Sequence, residues 1–207
     1  MGFLWFKTKK EKQAEEDDGW YKDVAVSEQG WWLRMAVASD LGSVRSNNED
    51  NFLMDGICNE EQAGQYYYEE DQCLDQCRIV AVFDGMGGES SGELASLTAA
   101  KMMGTVASNQ GSTDLKTFAK TIKNSFCEIN NRIVEYQNEQ KSMIGTTAVV
   151  VCTDGEEFQV MNCGDSRAYL FREGEISCLT KDHTLASDRI AQGRYSADSK
   201  EARRDKH

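Results

Sequence analysis

Ile79-Val80-Ala81-Val82-Phe83-Asp84-Gly85-Met86-Gly87-Gly88-Glu89 opens on five apolar residues without alternation and closes on a carboxylate among glycines. A continuous apolar run of this length reads as a strand buried on both faces. Ser90-Ser91-Gly92-Glu93 follows as a capping-box pattern, with Ser and Glu side chains placed to satisfy free backbone donors, and predicts a helix to about Val106. Upstream, Leu33, Met35 and Val37 alternate with Arg34, Ala36 and Ala38, the period of a half-buried strand. A polar turn over Asp40–Asn48 leads to a second short strand, Asn51–Met54. Ile57–Cys77 carries six acidic residues and no basic ones around Tyr66-Tyr67-Tyr68, and reads as a solvated excursion. Downstream, Leu115, Phe118, Ala119, Ile122, Phe126, Ile129 and Ile133 recur at helical spacing, with Asp114 favouring the dipole at the start. Gly145–Thr153 reads as a buried strand, Asp154-Gly155 as a hairpin turn and Glu157–Cys163 as its partner. Ala168–Arg172, Glu173-Gly174 and Ile176–Thr180 make another hairpin, and Thr184–Gln192 a short helix. Hairpins with two consecutive long helices predict an α+β fold whose sheet is antiparallel.

The 207 residues carry 23 lysines and arginines against 35 aspartates and glutamates, a net charge of −12, which argues against nucleic-acid binding by counterion release. A 40% hydrophobic and 28% charged composition suits one soluble domain, or one with tails. No apolar run approaches the roughly 18 residues of a membrane span and no signal-peptide core follows Met1, so a cytoplasmic chain without a transmembrane segment is expected. Seven cysteines, an odd number, argue against a disulfide framework, and Cys127, Cys152, Cys163 and Cys178 sit in apolar stretches as small hydrophobes. The Cys73–Cys77 pair lacks a second Cys/His pair for zinc. Residues 1–30 read as a leader: apolar and aromatic to Phe6, basic over Lys7–Lys12, acidic over Glu15–Asp18. A solvated tail is expected there, with weak membrane-surface contact as the other reading. A myristoylation signal is excluded, since position six is not Ser or Thr.

Three segments are candidates for chemistry. In the first, Asp84 leads into a glycine-rich stretch before a helix start. Gly87 and Gly92 have Walker-like spacing, but Glu93 stands where a phosphate-binding Lys is required, so a hard cation held by oxygens fits better than a nucleotide. A tight structural turn would read the same. In the second, Arg45 precedes the paired carboxylates Glu49 and Asp50 by four residues; its planar fork suits phosphate, and the carboxylates suit metal-bound water. A charged surface turn is the alternative. In the third, Asn162-Cys163-Gly164-Asp165-Ser166-Arg167 exposes Asp165 at a sharp turn, or forms a hairpin with a local Asp–Arg pair.

Arg45…Glu49-Asp50, Asp84-Gly85-Met86-Gly87-Gly88…Gly92-Glu93-Leu94-Ala95-Ser96, Gly145-Thr146-Thr147, Gly164-Asp165-Ser166-Arg167 and Asp182-His183-Thr184 together resemble the metal-dependent, PPM-type (type-2C-like) serine/threonine protein phosphatases of bacteria. The resemblance runs from about Met35 onward and assigns 31–207 to that domain. It implies an αββα sandwich of two antiparallel sheets flanked by helix pairs. It implies that Asp84 bridges two Mn²⁺ or Mg²⁺ ions, that the Gly85 carbonyl completes one site, and that Asp165 supports a third, weaker one. A metal-activated water would attack phosphorus in line. Arg45 would hold the phosphate, and Glu49 and Asp50 would accept hydrogen bonds from metal-bound waters. Relatives carry a histidine acid where Met86 or Glu89 stands here, so protonation of the leaving group falls elsewhere, for instance to water. His183 is read as structural.

The segment Gln192–Arg204 resembles the family's flap. The Asp-Gly and Asp-Asn motifs and closing strands that follow it in the family are absent, so the domain is expected to be C-terminally incomplete. The implied substrates are phosphorylated proteins made by serine/threonine kinases, met by a monomer. The alternative is a non-catalytic phosphoprotein-binding module or an inactive truncated phosphatase.

Overall fold

The computed structural model describes residues 2–10, 31–60, 65–87, 91–194, 196 and 199–200. In chain order these form β1 (Gly2–Lys10), β2 (Trp31–Asp40), β3 (Asp50–Met54), β4 (Gln65–Leu74), β5 (Arg78–Gly87), α1 (Ser91–Gln110), α2 (Leu115–Gln140), β6 (Ile144–Thr146), β7 (Ala148–Thr153), β8 (Phe158–Cys163), β9 (Tyr169–Arg172), β10 (Glu175–Cys178) and α3 (Leu185–Ala191). Every strand pair is antiparallel. The α+β class predicted from the hairpins is the one observed.

One sheet runs β3-β5-β7-β8, with β6 alongside the end of β5; a second runs β1-β2-β4. The apolar run of β5 explains why it lies in the middle. Ile79, Ala81 and Phe83 face a core with Ala95, Ala99 and Met103 of α1 and Phe118, Ala119 and Ile122 of α2. Val80 and Val82 face the opposite way, where Leu33, Met35 and Val37 of β2 pack with Phe52, Met54 and Val151. Successive residues of a strand point to opposite faces, so β5 serves two cores at once. The result is sheet on sheet with the α1–α2 pair outside one of them. Asp114, read from sequence only as favouring the dipole, caps α2 by accepting the Thr117 amide at 3.0 Å.

Two segments differ from expectation. Residues 1–30 were expected as a leader, but β1 pairs with β2 over nine registered positions, Gly2 opposite Ser39 to Lys10 opposite Trp31. The acidic 57–77 stretch was expected as a solvated excursion, but β4 pairs with the other edge of β2 from Gln65 opposite Asp40 to Leu74 opposite Trp31. Both segments hold aromatic runs with strand propensity, and β2 offers each a free row of backbone donors and acceptors. Ser90, Glu89 and His207 lie outside the described residues. Among the cysteines, Cys77 and Cys152 are buried, whereas Cys127, Cys163 and Cys178 are exposed, so of the four read as core hydrophobes only Cys152 is one.

Candidate active site

The site grows from the register of β3 against β5, which sets Asp50 directly opposite Asp84. Two carboxylates facing each other across strands repel. Asp84 keeps part of its surface open to solvent, yet its pKa is raised, by burial first, then by the charges of Asp50 and Asp165; Arg45 opposes them. The charges of Arg45, Asp50 and Asp165 all act on Asp84, so each candidate segment bears on this one carboxylate.

Asp84 was expected at the end of its strand. Instead β5 continues to Gly87, because Gly85, Met86 and Gly87 pair with Thr146, Gly145 and Ile144 of β6. The threonines of β6 and its junction with β7 then fix the aspartate's main chain. Thr147 Oγ1 accepts the Asp84 amide at 3.0 Å, and the Thr147 amide donates to the Asp84 carbonyl at 2.9 Å. Thr146 Oγ1 donates to the same carbonyl at 3.1 Å. Thr147 Oγ1 also lies 2.7 Å from Ser166 Oγ, tying Asp84 to the turn that carries Asp165. No role is assigned to Thr147 or Ser166 from sequence, although both stand in quoted motifs; a hydroxyl beside a glycine turn is a weak signal alone.

The 45–50 loop is sewn to β5 and α1. The Glu49 carbonyl accepts from the Gly85 amide at 3.2 Å and from Ser96 Oγ at 2.7 Å. Asn47 Nδ2 donates to the Glu93 carboxylate, which is 8% exposed. Glu93 therefore spends its carboxylate on the phosphate-loop candidate, a tertiary contact that the capping-box pattern does not reveal. Arg45 is brought to Glu49, Nη1 to Oε2 at 2.6 Å, with the arginine 68% exposed. Such exposed pairs contribute about 0–1 kcal/mol, so the guanidinium is free to exchange partners.

Asp165 stays exposed, because Arg167 pairs elsewhere: its Nε and Nη2 reach the two Asp182 oxygens at 2.7 and 2.5 Å. This fork is the local Asp–Arg pair in a different partnership from the hairpin reading. His183 contributes its main-chain amide, which donates to Gly164 O at 2.9 Å.

Gly85 has no room for a side chain. A Cβ there would lie 2.1 Å from Gly92 O and 2.6 Å from Glu49 O, both backbone atoms. Gly85→Ala is expected to lower unfolding free energy by about 3 kcal/mol or more, at the upper end of overpacking costs. Urea denaturation followed by circular dichroism measures it, and an unchanged midpoint would show that the α1 start can retreat.

These geometries decide the family together with one comparison. The protein phosphatase 2C family profile matches residues 39–189, well over half of the sequence. The chain belongs to the protein phosphatase 2C family. The serine/threonine protein phosphatase PstP of Mycobacterium tuberculosis is 30% identical over 164 residues, 79% of this chain and 28% of PstP. Among solved structures, the S. agalactiae serine/threonine phosphatase superposes with a TM-score of 0.60 at 26% identity, over 81% of this chain and 66% of that one. The catalytic domain of PstP in complex with two manganese ions superposes with a TM-score of 0.54 over 95% of this chain and 63% of that one; at 22% identity it attests the shared fold. The chain thus spans under a third of the first relative and about two-thirds or less of the solved chains.

Asp84, Asp50 and Asp165 offer hard carboxylate oxygens, the donor type a divalent cation takes. Among the described residues, no three His, Cys, Asp or Glu side chains form a group that could hold a metal ion. The match to a divalent cation is one of donor chemistry and not of an assembled group of three side chains. No helix among the described residues is long and apolar enough to cross a membrane.

Proposed function

We propose that this chain carries the phosphate-handling core of a metal-dependent serine/threonine protein phosphatase, acting on phosphoserine and phosphothreonine in proteins phosphorylated by serine/threonine kinases. The observation that carries the reading is the carboxylate pair Asp50–Asp84 in register, with Asp165 and Arg45 in electrostatic reach. Mn²⁺ or Mg²⁺, two ions with a third weaker site at Asp165, would be held by Asp84 and the Gly85 carbonyl, and would supply positive charge and an activated water for in-line displacement at phosphorus. The other roles fall to the chain's own groups. Arg45 leaves Glu49 for the phosphate oxygens, gaining a charge-assisted fork in place of an exposed ion pair. Glu49, released, and Asp50 would accept hydrogen bonds from water at the cation. Thr146 and Thr147 keep the Asp84 main chain fixed, so the carboxylate does not reorganise during the reaction. The PstP catalytic domain, solved in complex with two manganese ions, supports the choice of metal. A cytoplasmic monomer is the setting this reading expects.

The test is manganese-dependent phosphate release from a phosphoserine peptide. Arg45→Ala is expected to lower kcat/KM by about 10- to 100-fold, the equivalent of losing about 1.5–3 kcal/mol in hydrogen bonds to a charged group, with Arg45→Lys between the two. Equal kcat/KM values in all three proteins would remove Arg45 from the site.

The second reading is a phosphoprotein-binding module without turnover. The observation in its favour is that no three-residue metal-holding group occurs among the described residues. It predicts saturable phosphopeptide binding, lost on Arg45→Ala, with no phosphate released at any manganese concentration.

A further inference from the structure

Arg45 stands in the least supported part of the site. Residues 42–46 are exposed, Val44 at 93%, so packing does not fix the main chain that carries the guanidinium. Apart from its own pair with Glu49, the nearest tethers described lie to either side. Upstream, the Gly42 amide donates to Asp40 Oδ1 at 2.6 Å. Downstream, Asn47 Nδ2 donates to the Glu93 carboxylate, a contact spanning 46 positions of sequence. Glu93 is a buried carboxylate in the first turn of α1, where the helix dipole favours its charge. A charge so far from water needs a donor, and Asn47 supplies one. The loop docks again at its next two residues. Asn48 Nδ2 donates to Ser39 Oγ at 2.7 Å, and Ser96 Oγ donates to the Glu49 carbonyl at 2.7 Å. The Glu49 carboxylate lies over Gly92, its Cδ and Oε1 both 3.1 Å from where a Cβ would stand. Residues 47 to 49 are thus held one after another, and Arg45 hangs from that held end through Ser46 alone.

We propose that Asn47 is a positioning residue for phosphate capture: its tether to Glu93 fixes the loop from which Arg45 reaches the phosphate. It acts through Arg45 and touches no substrate. The inference rests on the proposed role of Arg45 as the phosphate holder. On leaving Glu49, Arg45 gives up the ion pair that ties its side chain to the loop. From then on the main chain alone decides where the guanidinium can go. A stretch of exposed residues let go at 47 would gain conformational freedom, which phosphate binding would then have to remove. With the tether in place that freedom is already lost on folding, and the phosphate meets a placed arginine. The chemistry of the tether suits the task. A hydrogen bond to a charged acceptor is stronger than a neutral one, and lifting Asn47 away would strand a buried carboxylate.

The experiment measures, by fluorescence anisotropy with manganese present, binding of a peptide carrying a non-hydrolysable phosphonate analogue of phosphoserine. Asn47→Ala is expected to weaken binding by the full chain roughly tenfold, the scale of one hydrogen bond to a charged group. Arg45→Ala should weaken it at least as much. The double variant should bind no more weakly than Arg45→Ala alone, because a tether acting through Arg45 has nothing to place once the guanidinium is gone. Glu93→Gln keeps an oxygen for Asn47 and should stay within about threefold of wild type, whereas Glu93→Ala should match Asn47→Ala. If Glu93→Ala does not fold by circular dichroism, the Asn47–Arg45 cycle decides. Wild-type binding by Asn47→Ala, or losses that add in the double variant, would overturn the tether and leave Arg45 at the phosphate. Equal binding by wild type and Arg45→Ala, or no binding by any of these proteins, would instead remove the phosphate reading, and the tether with it.

Discussion

Asp84→Asn is expected to cost roughly 10³-fold or more in manganese-dependent phosphate release while making the metal-free protein more resistant to heat. The first effect follows from the proposed role of Asp84 as the central anionic ligand, where several kcal/mol of transition-state stabilisation would be lost and each 1.36 kcal/mol is a factor of ten. The second follows from the electrostatics of the metal-free site. Asp84 is raised from its ordinary value of 3.8 by burial first and then by Asp50 and Asp165, with Arg45 opposing. A carboxyl that binds its proton more tightly folded than unfolded contributes stability below its unfolded value, and that contribution is lost as pH rises through the folded one. At neutral pH ionised Asp84 therefore opposes folding, and the neutral amide relieves it. The melting temperature of the variant should exceed that of wild type at pH 7, and the two should converge as the pH falls towards the unfolded carboxylate range. Manganese should raise the wild-type melting temperature and leave the variant unmoved. A variant that melts lower than wild type at pH 7 would contradict the like-charge account, whatever its activity.

Phe83→Ala is expected to remove about 3–5 kcal/mol of stability, a large share of what a domain of this size possesses. Phe83 is 1% exposed and lies in the helix-side core with Ala95, Phe118 and Ile122. Its ring cannot be replaced by collapse of its neighbours without moving α1, and α1 begins against Gly85 through backbone contacts. The cavity therefore sits one residue before Asp84 on the face opposite the site. Urea titration should give a lower midpoint with an unchanged slope. A loss below about 1 kcal/mol would mean that α1 and β5 close the gap, and the site would then shift with them.

What could be read from sequence follows how local its cause is. The double-sided burial of β5 was legible because five apolar residues without alternation have few other uses. The stripe of α2 was legible for the same reason, whereas at Asp114 only a charge favourable to the dipole was read and the cap came with the structure. The strands β1 and β4 were not, since each exists by pairing with β2, and nothing within an aromatic tail or an acidic tract specifies that partner. Likewise the extension of β5 past Asp84 depends on β6, some sixty residues away, and the Asn47–Glu93 contact spans 46. The residue types at Arg45, Asp50 and Asp84 suggested phosphate and cation chemistry, and the resemblance added Asp165; the register that opposes Asp50 to Asp84 belongs to the folded sheet alone.

That register has a mechanical side. A strand at the margin of a sheet could ease the repulsion between two carboxylates by fraying or sliding. β5 can do neither, because apolar contacts clamp it from above and below, and β3, β6 and β7 hold both of its edges. Arg45 and the solvent at Asp84 offset the repulsion between the carboxylates in part, and a proton or an added positive charge would relieve it further. On the proposed reading, the firmness of the core would thus be converted into appetite for a cation.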